Sequence, residues 1–111
     1  YEESDVFEEK ANYDAAIRNY NTTVLKAVEE VSSAISAYKG RIKQVVDLRE
    51  LEIQGETMLT LSLDLYKRGL SDFQNVLDAQ RSLLEYQNSL VVAEGNTLIA
   101  LVNLYRALGC Y

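Results

Sequence analysis

The sequence has no proline, no histidine and no tryptophan, and only one cysteine, two phenylalanines and five glycines among 111 residues. Each shortage removes something. Without proline nothing forces a helix to break, and 48% hydrophobic with 25% charged residues favours long amphipathic helices over a mixed sheet protein or a disordered tail. Without histidine, and with no glycine-rich phosphate loop, the chain offers no catalytic constellation. Its carboxylates are spread along solvated helix faces, where i,i+4 pairing accounts for them. No catalytic residue, metal ligand set or cofactor is expected. Cys110 has no second cysteine to pair with, does not report the redox compartment, and is assigned no role.

Basic clusters are missing too. The net charge is -6, from 17 acidic and 11 basic residues, and the basic ones are scattered instead of gathered on one face, so nucleic acid is not an expected partner. No run of 18 apolar residues exists to carry a helix across a bilayer. No basic-then-apolar leader is visible, and a chain opening on Tyr1 is expected to have been cut or processed.

What is present is periodic. The opening stretch 1–11 is acidic, with Glu2, Glu3, Asp5, Glu8 and Glu9, and suits either a helix N-terminus or a frayed leader. Ile17, Val24, Val31, Tyr38, Val45, Leu59 and Tyr66 then recur every seven residues, with Glu52 as the interruption. Val28, Ile35 and Ile42 run beside that seam as far as Arg49. Beyond it the companions are Leu48, Leu51, Met58, Leu61 and Leu65 on the opposite flank, so the helix is expected to change neighbours near Arg49. A first helix from about residue 12 to 68 would be roughly 85 Å long at 1.5 Å per residue. Gly40 and Gly55 inside it mark either close approach of another helix, to which Ala27, Ser33, Ala34 and Ala37 would contribute, or simple tolerance.

The stretch YKRGLSDFQNVLDAQRSLL, Tyr66 to Leu84, carries a helix stop followed at once by a start. Gly69 suits the left-handed closing position, and Arg68 places a cation at the last carbonyls. Ser71, with Gln74 three residues on, reads as a capping box. This predicts a tip over 69–71 and a second helix over about 72–108, ended by Gly109. Leu77, Leu84, Val91, Leu98 and Tyr105 form one seven-residue line, and Val76, Leu83, Leu90 and Leu104 form another beside it. Such width exceeds a two-stranded seam and implies neighbours on both sides. About twenty residues of the first helix would overhang the second. The fold class expected is all-α, a long antiparallel coiled-coil hairpin with no closed core of its own, and oligomerisation follows.

These residues also resemble a known family. The tip from Tyr66 to Leu84, NYDAAIRNYNTTVLKAVEEV and LVNLYRALG are similar to the second repeat of the outer-membrane efflux proteins, the TolC-like exit ducts of Gram-negative bacteria. The resemblance covers about Ala11 to Gly109. It implies that the hairpin is a stave of a trimeric α-barrel, in the periplasmic portion of a bacterial outer-membrane protein that exports passively. It further implies a periplasmic adaptor protein docked at Arg68, Gly69, Leu70 and Ser71, and an inner-membrane pump as part of the assembly.

Asp78 matches a family aspartate at a cation-selecting pore constriction; its alternative is a surface carboxylate paired with Arg81. Where some members carry a second aspartate this chain has Asn75. Tyr66 matches a tyrosine that links neighbouring helices as a gate, but the arginine sharing that work is replaced by Ser71; the alternative is a seam residue at the rim. Leu70 is either the docking knob or the hydrophobic contact of its own helix end. The competing function is a structural or adaptor-type coiled-coil hairpin with no channel role. Apolar width and the tip motif separate the two.

Overall fold

The computed structural model describes residues 2–109, so Cys110 lies outside the described residues. Helix α1 runs Glu2–Lys67 and helix α2 runs Phe73–Ala107, and the two pack against each other as a hairpin. At 1.5 Å per residue a 66-residue helix is about 99 Å long, and the longest dimension of the molecule is 101 Å. The first helix therefore sets the length of the whole chain.

α1 begins earlier than periodicity suggests. The acidic stretch is helical from Glu2, with Glu2, Glu3 and Asp5 in the first turn, where the unpaired amides favour negative charge. It stays exposed, as do all residues from 2 to 30, because α2 ends alongside Ser33 and Ala34. α1 passes through Gly40 and Gly55 as one α-helix.

The seven-residue seam of α1 faces α2. Val45 is buried on it, and Val31, Tyr38, Glu52 and Leu59 are half-buried. Of its expected companions Leu48 and Leu65 are half-buried, but the rest of the inward line, three residues beyond the seam, is small: Ala34, Gly55 and Ser62. Val28, Ile35 and Ile42 on one flank, and Leu51, Met58 and Leu61 on the other, are exposed. α2 behaves alike. Val76, Leu83, Leu90 and Leu104 turn inward with Ala79, Tyr86, Ala93 and Ala100, whereas Leu77, Leu84, Val91, Leu98 and Tyr105 stay exposed. Two helices meet only along a stripe of positions alternating by three and four, so one large line and one mostly small line suffice on each.

The small line lets the axes approach. A Cβ built on Gly55 would lie 3.2 Å from Tyr86 Cδ2 and 3.3 Å from Leu83 Cδ1. Gly55 is thus a close-approach glycine, whereas a Cβ on Gly40 meets nothing within 4 Å. The expected change of neighbour near Arg49 does not occur within this chain: α1 faces α2 on both sides of it, and Arg49 Nη2 pairs with Glu94 Oε1 of α2 at 3.4 Å. The flank lines swing, while the seam does not.

The hairpin leaves much surface open. A compact monomer of 12.5 kDa would expose about 6,200 Å² and have a radius of gyration near 13 Å; this one exposes 8993 Å² with a radius of 27.6 Å.

Candidate docking tip and constriction

The tip is built by backbone hydrogen bonds. The Leu70 N–H donates to Leu65 O at 2.9 Å and the Gly69 N–H donates to Tyr66 O at 3.0 Å, the paired closure of a Schellman motif. It requires a left-handed residue after the helix, and Gly69 supplies it at φ +74° without a Cβ penalty. Arg68 Nε lies 3.2 Å from Asp64 Oδ2, one turn back along α1. Gly69, Arg68 and the turn therefore sit where the sequence places them.

The start of α2 differs from the expected capping box. The N-cap is Asp72, with φ -74° and ψ 151°, and no side chain caps the helix. Reversal after the Schellman closure takes up Ser71 as well as Leu70, so the helix begins one residue later. Gln74 Nε2 donates to Asp78 Oδ1 at 3.0 Å, and Asn75 Nδ2 donates to Ser71 Oγ at 2.6 Å. The Asn75 N–H donates to Asp72 O at 3.1 Å.

Leu70 is 71% exposed. A hydrophobic contact between this position and the last turn commonly accompanies the Schellman motif, yet here most of the side chain remains in solvent. Tyr66 and Phe73 flank the turn with ring centroids 5.1 Å apart and planes tilted by 54°. Among the described residues the Tyr66 hydroxyl has no hydrogen-bond partner. Sequence reasoning missed Phe73, although an aromatic on each side of a glycine turn was the signal available.

Asp78 is exposed and takes Gln74 as its partner instead of Arg81. Asn75 and Asp78 line one side of an open groove of about 580 Å³ above the tip, whose other wall is Leu51, Met58, Leu61 and Leu65 of α1. The groove brings Ser71, Asn75 and Asp78 to the same side of the hairpin. Among the described residues no group of acidic or thiol side chains could hold a metal, and no helix is long and apolar enough to cross a membrane.

Comparison with known proteins gives this geometry a context. The family model described as "Outer membrane efflux protein" matches residues 4–110. The outer membrane protein OprJ of Pseudomonas aeruginosa is 34% identical over 102 residues, which cover 90% of this chain and 21% of that protein. Nodulation protein T of Rhizobium leguminosarum bv. trifolii is 38% identical over 104 residues, covering 91% of this chain and 22% of that protein. Among solved structures, the outer-membrane channel OprN matches with a TM-score of 0.72 and 32% identity over 92% of this chain and 23% of that one. The chain thus spans about a fifth of the length of the relatives it matches. A two-helix hairpin of this length, tip and open apolar flanks, matched over nearly its whole extent, belongs to the outer membrane efflux protein family.

Proposed function

We propose that this chain is a periplasmic helical stave of an outer-membrane efflux channel, and that its tip docks a periplasmic adaptor protein. The observation that carries the reading is Leu70: a bare apolar side chain on a closed, hydrogen-bonded turn at one end of a molecule 101 Å long. An exposed leucine alone is ordinary. One held out by a glycine closure that satisfies its own backbone is a rigid knob suited to helix-tip recognition. Arg68, Gly69 and Ser71 complete the contact surface.

In this proposal the parent protein is a homotrimer whose staves close into a duct. The exposed lines on α1 and α2 are the contacts between staves, which is why a single hairpin leaves so much surface uncovered. Transport through it is passive, and an inner-membrane pump in the same assembly supplies the energy. Asp78, repeated by symmetry, forms an acidic constriction that favours cations; Asn75 beside it adds no charge, so the ring is single. The free hydroxyl of Tyr66 is the group available to link neighbouring helices as a gate.

The docking claim is tested by binding purified adaptor protein to the full-length channel. Burying a leucine contributes about 1.5 to 3 kcal/mol, so Leu70→Asp should weaken binding by at least about tenfold. Unchanged affinity overturns it. In planar bilayers, Asp78→Asn in the full-length channel should reduce cation selectivity, and unaltered selectivity refutes the ring.

A further inference from the structure

Three features of the tip are accounted for neither by the backbone closure nor by docking itself. The Tyr66 ring packs against Phe73 across the turn, with centroids 5.1 Å apart. Asn75 reaches back over the start of α2 to hydrogen-bond Ser71 Oγ at 2.6 Å. Asp72, which occupies the N-cap, makes no side-chain capping bond. The Schellman hydrogen bonds hold the chain as far as Leu70 and the Asn75 N–H holds Asp72 O from the α2 side, so Ser71 between them is left to the side chains.

We infer that Phe73 and Asn75 are positioning residues of the tip: the Tyr66–Phe73 contact and the Ser71–Asn75 hydrogen bond together hold residues 69 to 72 in the conformation that presents Leu70. The inference rests on the docking role proposed for Leu70 and adds the residues that set its geometry. Phe73 is anchored in the first turn of α2 and Tyr66 in the last turn of α1, so their contact ties the two helix ends together across the loop. Asn75, the third residue of α2, fixes Ser71, the residue next to the knob. Tilted aromatic pairs and side-chain hydrogen bonds each contribute modestly. Their effect here is to reduce the number of loop conformations that must be frozen when a partner binds. That predicts an effect on association more than on dissociation.

The test uses the full-length channel and purified periplasmic adaptor protein, with binding kinetics read beside hydrogen exchange of the tip peptide. Phe73→Ala should raise exchange across residues 69 to 72 and slow association about three- to tenfold, with dissociation changed less. Phe73→Tyr should restore both, since it keeps the ring. Asn75→Ala should act in the same direction by a smaller factor, and serves if Phe73→Ala lowers the helix content. If Leu70→Asp abolishes binding while Phe73→Ala and Asn75→Ala leave exchange and association at the parent values, docking stands and the positioning role is wrong. If Leu70→Asp leaves binding intact, docking and positioning fall together.

Discussion

The two glycines inside α1 should respond to the same substitution with opposite sign. A glycine in a helix interior costs about 1 kcal/mol relative to alanine, and leucine is nearly as good a helix former as alanine. At Gly40 an added Cβ meets nothing within 4 Å and the position is exposed, so Gly40→Leu should stabilise the isolated chain by about 1 kcal/mol. For a domain of this size that raises the melting temperature by about 4 to 8 °C. At Gly55 the first added carbon already lies 3.2 Å from Tyr86 Cδ2 and 3.3 Å from Leu83 Cδ1. Alanine there asks those rings and methyls to yield by a few tenths of an ångström, so gain and loss nearly cancel. Leucine must displace them or part the helices, and overpacking of this kind costs about 1 to 3 kcal/mol. Gly55→Leu should therefore melt lower than the parent while Gly40→Leu melts higher, followed by circular dichroism at 222 nm. Equal shifts at the two positions would refute the close approach at Gly55, and with it the small-residue seam as the basis of hairpin packing.

The same seam predicts that Ala93→Leu, at a position 2% exposed, destabilises the chain by about 1 to 3 kcal/mol in chemical unfolding, whereas Val91→Leu on the exposed line leaves it within about 0.5 kcal/mol. Gly69→Ala forces a Cβ into φ +74° and should cost about 1 to 2 kcal/mol, seen in the unfolding midpoint. Arg49 and Glu94 are 62% and 46% exposed at a separation of 3.4 Å, so a double-mutant cycle should return a coupling of only about 0.2 to 1 kcal/mol that disappears in molar salt.

The parts of the fold legible in the sequence were those written in large apolar residues or in glycine. The seam from Val31 to Leu59 stands out because its side chains are bulky and evenly spaced, and the turn stands out because only glycine takes a left-handed closing position cheaply. Its inner companions were legible only in part. Gly55 and Ala34 stand among the small residues that mark a candidate close approach, but Ser62, Ala79, Ala93 and Ala100 are equally small and a hydrophobicity pattern passes over them in favour of Ile35, Met58, Leu84 or Leu98. Those larger lines are real, but they stay exposed on the flanks of the hairpin, so the breadth of the faces was readable while the assignment of faces to neighbours was not. At the tip, Ser71 has the chemistry of an N-cap, and only the geometry of the closure shifts the cap to Asp72. The Tyr66–Phe73 contact joins two elements through that same geometry, and no periodicity encodes it.

One cross-linking measurement tests the account at both ends of the hairpin. A photoactivatable residue placed singly at Leu70 or at Leu98 in the full-length channel, in cells that contain its adaptor, should give two different products. Leu70 should capture the adaptor protein, and Leu98, 64% exposed on the outer line of α2, should capture another helical stave of the same channel. Adaptor captured at neither position, with Leu98 also failing to reach another stave, would contradict the reading of this chain as a tip-docking stave of an efflux duct.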